Sequence, residues 1–172
     1  MTDYKTEFSR SLDTPEEFWT RQAANIAWYR PPMSILSKDA NGSEEWFADG
    51  ELNSSYLALD YHIEQGRGDQ TALIYDSPAT DTKASFTYIE LRDEVARLAG
   101  VLRDLDVDIG DRVIVYMPMI PQAVFAMLAC ARIGAIHSVV FGGFAAKELA
   151  TRIDDAEPKV ILAASCGLEF GK

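Results

Sequence analysis

The strongest periodic signal in the chain runs from Leu91 to Leu105. There Leu91, Val95, Leu98, Leu102 and Leu105 recur at steps of four, three, four and three, the spacing that lines one face of an α-helix. Thr87 and Glu90 stand where a capping box opens such a helix, so a long helix is predicted after Thr87 with its stripe turned to the core. Upstream, residues 71–76 (TALIYD) and 85–87 read as two strands on either side of the polar stretch SPATDTKA, a hairpin or a close pair. Downstream, residues 113–117 are apolar at every position, as a strand is when both faces of its sheet are covered. The alanine-rich residues 120–133 predict a helix stopped at Gly134, residues 135–140 a strand, residues 145–156 a helix stopped before Pro158, and residues 159–164 a last strand.

Three strands with intervening helices imply two right-handed crossovers. The predicted fold class is therefore α/β: a partial doubly wound, mostly parallel sheet with flanking helices, preceded by an irregular N-terminal arm. In that arm Thr14, Pro15 and Glu17 predict a helix start as N-cap, first-turn proline and capping-box partner, with Phe18, Trp19, Gln22 and Ile26 along its face. Residues 30–53 are rich in turn formers around Trp46 and Phe47 and read as an irregular wrap. Residues 54–65 read as a short helix broken by GRGDQ. The expected division is an arm over residues 1–66 and the first part of an α/β domain over residues 67–172.

Composition narrows the function classes. With 172 residues, 48% of them apolar, the chain can bury a core. A net charge of -11, spread along the sequence, disfavours nucleic acid and anionic membrane as partners. The apolar run at residues 117–136 is interrupted by Pro118, Pro121, Gln122 and Arg132, which fits a buried strand and helix better than a membrane span. No secretory pattern stands in the first residues, and Cys130 lies in an apolar run as an inert thiol would, so a cytoplasmic setting is expected. An unpaired parallel edge after Ala164 predicts self-association.

Few residues could carry chemistry. Phe141, Gly142 and Gly143 fall between a strand and a helix, where an open α/β sheet collects phosphate-bearing ligands and where glycine lets a ligand approach the main chain. Two glycines serve a tight turn equally well, and the local residues do not choose. No GxGxxG or GxxxxGK[ST] occurs. His62 and His137 have no partners with ligand spacing, so no metal site is proposed. Asp154 and Asp155 read as a solvated helix face, and Arg132 and Arg152 as helix-surface arginines able to reach a phosphate. Ser165, Cys166 and Gly167 follow the last strand with no accompanying base.

Residues 116–172, from YMPMIPQAVFAMLACARIGAIHSVVFGGF to SCGLEFGK, together with WFADGELNSSYLALDYHI at residues 46–63, resemble the N-terminal segment of the short-chain acyl-CoA synthetases of the adenylate-forming superfamily. The SCGLE ending and the DSPATDTK insertion look closer to the propionyl-CoA synthetases than to the acetyl-CoA synthetases. The resemblance covers essentially the whole chain. It implies a parent enzyme that joins a short carboxylate to AMP from ATP with magnesium, releasing pyrophosphate, and then passes the acyl group to coenzyme A. It also implies coenzyme A binding at Phe141, Gly142 and Gly143, and nucleotide-phosphate contact at Glu169, Phe170, Gly171 and Lys172. Phe170 stands where propionyl-type relatives commonly have proline, and Glu169 where acetyl-type relatives often have a basic residue, leaving Lys172 as the nearby cation. The family's Ser/Thr/Gly-rich phosphate loop, its adenine and ribose motifs, its hinge acid and its catalytic lysine all lie downstream, so no catalytic residue is expected here and the 172 residues alone are expected to be inactive. The resemblance thus reads the chain as an N-terminal fragment acting on small molecules. The alternatives are a stand-alone flavodoxin-like or receiver-like binding module, or an interaction domain. A receiver needs acidic residues at the end of its first strand, where this chain has Met117 and Pro118.

Overall fold

The computed structural model describes residues 3–143 and 145–168, and they fall into two compact units that divide between Asn53 and Ser54. In the first unit, α1 (Tyr4–Asp13) is capped by Asp3, whose carboxylate accepts from the backbone N–H groups of Lys5 and Thr6. Its apolar residues Tyr4, Phe8 and Leu12 recur at steps of four but all are exposed and none of the helix is buried, and the sequence reading passed over it. Helix α2 (Pro15–Ala23) starts at the expected proline, but the expected capping box is not made. The Thr14 hydroxyl instead donates to the Arg10 carbonyl at 3.4 Å, because Thr14 is also the C-terminal cap of α1. The helix ends at Ala23, its one buried residue, so Ile26 lies beyond the face assigned to it. Glu7 ties the two helices, accepting from Arg10 at 3.1 Å and from Arg21 at 2.6 Å.

The stretch expected to be irregular holds a short antiparallel ribbon, β1 (Leu36–Lys38) and β2 (Glu44–Trp46), in which Leu36 faces Trp46. Aromatic packing pins it, as the Trp46-Phe47 pair suggested. Trp19 meets Trp46 edge-on at 6.0 Å, Trp28 meets Phe47 at 5.8 Å, and the Trp28 indole N–H donates to the Ala23 carbonyl at 2.9 Å.

The second unit begins with α3 (Ser54–Ala58) and α4 (Asp60–His62), followed by a π turn (Ile63–Arg67) in which Gly66 takes the left-handed conformation. Leu59, between the two helices, is fully buried in the main core with Leu91, Val95, Leu102 and Val113. Residues 54–66, expected to belong to the arm, therefore contribute to the α/β unit.

Next, β3 (Thr71–Ser77) and β4 (Thr82–Thr87) form the expected antiparallel hairpin, with β4 starting three residues earlier than its sequence signal. Thr87 and Glu90 make the capping box of α5 (Tyr88–Asp104), and Leu91, Val95, Ala99 and Leu102 are its buried stripe. Leu105, the last member of the sequence pattern, is the C-cap and is half exposed.

The sheet that follows is parallel, with β5 (Arg112–Met117) central between β6 (Ile136–Phe141) and β7 (Val160–Ala163). Helix α6 (Pro121–Ile133) connects β5 to β6 and stops at Gly134 in the left-handed conformation. Helix α7 (Ala146–Ala156) connects β6 to β7. Side chains alternate across a strand. Val113 therefore joins the core with Phe125, Ala129 and Cys130 of α6, while Arg112 points to the other face and donates to the Ala156 and Glu157 carbonyls at the end of α7, at 2.9 and 3.2 Å. Helices cover both faces of the sheet, which is why Val113, Ile114 and Val115 are all fully buried.

One ion pair links distant parts of this unit. Arg132 of α6 holds both carboxylate oxygens of Asp60 in α4, at 2.6 and 3.0 Å. The Arg132 hydrogen bonds hold the Asp60 carboxyl below its ordinary pKa, outweighing its partial burial. A carboxylate so depressed contributes stability that is present above its unfolded pKa and is lost as pH falls through its folded one. Asp60→Asn is expected to cost about 1–2 kcal/mol at neutral pH. The gap to the wild-type chain should close below about pH 4, as measured by urea denaturation at several pH values.

Candidate functional site

The turn expected to bind a ligand begins where β6 ends. The last residues of β5 and β6 lie side by side, Met117 paired with Phe141, and Gly142 sits directly against the chain leaving β5. A Cβ on Gly142 would stand 2.8 Å from the Met117 carbonyl carbon and 2.9 Å from both the Met117 oxygen and the Pro118 nitrogen. Neither Gly142 nor Gly143 has a left-handed φ. Glycine at 142 is therefore required by the close approach of two backbones: the space that its missing side chain leaves is filled by the protein's own main chain. At Gly143 the nearest atoms that a Cβ would meet belong to the Phe141 ring, 2.7 Å away at its Cε1, and Phe141 is 61% exposed. The exposed residues of this turn are thus Phe141 and Gly143. Phe144 and the residues Glu169, Phe170, Gly171 and Lys172 lie outside the described residues.

Ser165, Cys166 and Gly167 follow β7 and are exposed, at the same C-terminal edge of the parallel sheet but across β5 from Gly142. The other residues with potential chemistry are engaged elsewhere. Arg132 is committed to Asp60. Arg152 reaches back along α7 to the Glu148 carbonyl at 3.3 Å and to its carboxylate at 3.5 Å. Asp154 and Asp155 are exposed on α7, and His137 is exposed on β6. The His62 ring packs on Tyr88 at 4.7 Å and contacts the Arg67 guanidinium; burial and that guanidinium lower its pKa. Burial pushes the Cys130 thiol up to about 11, which keeps it protonated and inert. Among the described residues no cluster of three His, Cys, Asp or Glu side chains could hold a metal ion, and no helix is long and apolar enough to cross a membrane.

An apolar groove of about 380 Å³ lies beside the end of β5, lined by Ile74 of β3, Met117, Met119, Val124 and Met127 around the start of α6, and Val139 of β6. The sequence reading missed it. Its sign was the MPMIP string, which places Met119 between two prolines, where neither helix nor strand period can bury it; Met119 is 85% exposed.

Comparison with known proteins covers both units. The family model described as AMP-binding enzyme matches residues 60–169, and that described as acetyl-coenzyme A synthetase N-terminus matches residues 4–58. An uncharacterized protein of Pseudomonas aeruginosa is 63% identical over 98% of this chain and 27% of its own length. The mitochondrial acyl-CoA synthetase short-chain family member 3 of Bos taurus is 55% identical over 99% of this chain and 25% of its own. The acetyl-coenzyme A synthetase of Xylella fastidiosa is 49% identical over 98% and 27%. The solved acetoacetyl-CoA synthetase of Streptomyces lividans superposes with a TM-score of 0.84 at 33% identity, over 95% of this chain and 25% of that one. The chain therefore spans about a quarter of the length of the relatives it matches.

Proposed function

We propose, from the premise that this chain belongs to the AMP-binding enzyme family, that it forms the N-terminal part of an ATP-dependent short-chain acyl-CoA ligase. The reaction proposed is carboxylate, ATP and coenzyme A to acyl-CoA, AMP and pyrophosphate. The observation that carries this reading is the continuous match, first to the N-terminal segment of acetyl-coenzyme A synthetases and then to the AMP-binding family, across nearly all of the chain. Propionate is the favoured carboxylate, because SCGLE and DSPATDTK are closer to the propionyl-type enzymes than to the acetyl-type ones.

The part assigned to these residues is modest. Phe141 and Gly143 offer an aromatic face and bare backbone at the sheet edge, suited to the nucleotide and thiol arm of coenzyme A. Gly142 acts from behind, letting β5 and β6 close up so that this face has a fixed position. Glu169, Phe170, Gly171 and Lys172 are proposed to meet the nucleotide phosphates, with Lys172 supplying the cation. Magnesium would accompany the ATP.

The test is acyl-AMP formation from ATP by a polypeptide of the relatives' length that carries this segment, with propionate and acetate in parallel. Turnover of propionate is expected to exceed that of acetate, and failure with both would sink the reading. The 172-residue chain alone is expected to form no acyl-AMP above a control without protein.

A further inference from the structure

Three asparagines stand in the chain, and one of them precedes a glycine: Asn41 before Gly42, against Asn25 before Ile26 and Asn53 before Ser54. An Asn-Gly pair carries its own reaction. The glycine nitrogen can close a five-membered ring on the asparagine side-chain carbonyl, and with no Cβ nothing on the glycine hinders the approach. A β-branched residue such as Ile26 does hinder it.

The loop that holds the pair is built around one side chain. Between β1 and β2, one oxygen of the Asp39 carboxylate accepts from the backbone N–H groups of Asn41 and Ser43, both at 2.8 Å. The Asp39 N–H donates to the Ser43 carbonyl at 2.9 Å, and the Asp39 carbonyl accepts from the Gly42 N–H at 3.0 Å. The attacking nitrogen is thus tied down, yet its surroundings are empty: Gly42 has a left-handed φ of 83°, and a Cβ there would meet nothing within 4 Å. Asp49-Gly50, the one Asp-Gly pair of the chain, is packed in. Its carboxylate accepts from the Met33 N–H at 3.0 and 3.2 Å, the Gly50 N–H donates to the Phe47 carbonyl at 2.9 Å, and the Trp28 ring lies 2.8 Å from where a Gly50 Cβ would stand. Rearrangement is open to the first loop and barred to the second.

We propose that Asn41 is a self-modification site, converted to aspartate and isoaspartate through a succinimide, and that Asp39 is the positioning residue that restrains the reaction. The Gly42 nitrogen gives its proton to a base in the solvent and attacks Asn41 Cγ. The N–Cγ bond forms, the Cγ–Nδ2 bond breaks, and Nδ2 takes up a proton and leaves as ammonia. Water then opens the ring. Attack at Cγ breaks the new bond and leaves aspartate; attack at the main-chain carbonyl breaks the original peptide bond and leaves isoaspartate, with Gly42 joined through the side chain. No atom changes oxidation state. Isoaspartate lengthens the main chain inside a loop that the Lys38 to Glu44 pair closes, and either product adds a negative charge to a stretch that already holds Asp39, Glu44 and Glu45. The ribbon should therefore loosen, and Trp46, which packs on Trp19 at 6.0 Å, reports it.

Incubation in mildly alkaline heavy-oxygen water tests the proposal, on the 172-residue chain and on a polypeptide of the relatives' length that carries it. Peptide mapping is expected to find labelled aspartate and isoaspartate at position 41, formed roughly tenfold or more faster than at 25 or 53, where a side chain crowds the nitrogen. Asp39→Ala should speed the reaction roughly fivefold or more through two lost hydrogen bonds. Asp39→Asn, whose amide oxygen accepts in the same way, should hold the rate near that of the wild type. Should Asp39→Ala unfold the ribbon, the comparison is with the wild-type chain in urea, where Asn41 is expected to react faster than in the fold. The proposal is overturned if Asn41 keeps its amide in either polypeptide, or if Asn25 or Asn53 reacts as fast. It is also overturned if Asp39→Ala and Asp39→Asn change the rate equally, or if urea leaves the rate at Asn41 unchanged.

Discussion

Gly142→Ala is expected to destabilise the second unit by about 1–3 kcal/mol, whereas Gly143→Ala should stay within about 0.5 kcal/mol of the wild-type chain. Replacing glycine by alanine at a position with an ordinary φ usually stabilises a protein slightly, because the unfolded chain loses freedom. Position 142 reverses that sign, since the added carbon falls 2.8–2.9 Å from backbone atoms of Met117 and Pro118. Backbone there cannot yield without parting the ends of β5 and β6, which are in register from Arg112 and Ile136 to Met117 and Phe141. At position 143 the obstacle is the far end of an exposed phenylalanine ring, which can swing aside. Chemical denaturation of both variants, followed by circular dichroism, measures the contrast. Equal effects would mean that the two glycines share one role. A coenzyme A titration of a longer polypeptide carrying Gly143→Ala would test the proposed ligand face with the fold intact.

Leu102→Ala should cost about 2–5 kcal/mol, a large share of the roughly 5–15 kcal/mol that holds an ordinary domain together. Leu102 is completely buried in the cluster that joins α5 to Leu59, Val107, Val113 and Cys130. Its removal opens a cavity against elements drawn from three parts of the sequence, and these cannot collapse together to fill it. Leu105→Ala belongs to the same sequence stripe but sits at the C-cap, half exposed. It should change stability by less than about 0.5 kcal/mol. The pair separates periodicity from burial: a comparable loss at both positions, read from denaturation midpoints at constant slope, would contradict the depth assigned to each.

The second unit was far more legible in the sequence than the first, for a physical reason. Its elements announce themselves through periods that arise from burying a face, such as the α5 stripe and the wholly apolar β5, and through caps whose geometry is local, such as Thr87 with Glu90 and Gly134. In the first unit α1 has only a three-residue apolar stripe, Tyr4, Phe8 and Leu12, and all three are exposed, so its period is short and buries nothing, and Thr14 serves two helices at once, which cancels its capping signal. The ribbon of β1 and β2 is three residues long on each side, too short for alternation to stand out.

The glycine pair was legible as a turn between a strand and a helix, but the different surroundings of Gly142 and Gly143 were not. That Gly142 faces Met117 and Pro118 depends on two strands meeting from distant positions in the chain, and no local pattern encodes it. The bidentate hold of Arg132 on Asp60 spans 72 residues and was invisible for the same reason, which is why Arg132 looked available to a phosphate.

All three tryptophans, Trp19, Trp28 and Trp46, lie in the first compact unit, each with its ring centroid no more than 6.0 Å from another aromatic ring. The chain consequently carries a natural optical label on its smaller unit only. Emission excited at the red edge of the protein band follows the N-terminal unit, and the ellipticity of the long helices α5 and α6 is weighted to the other. Whether the two units melt together or in sequence can be read from a single unmodified sample by comparing the two signals.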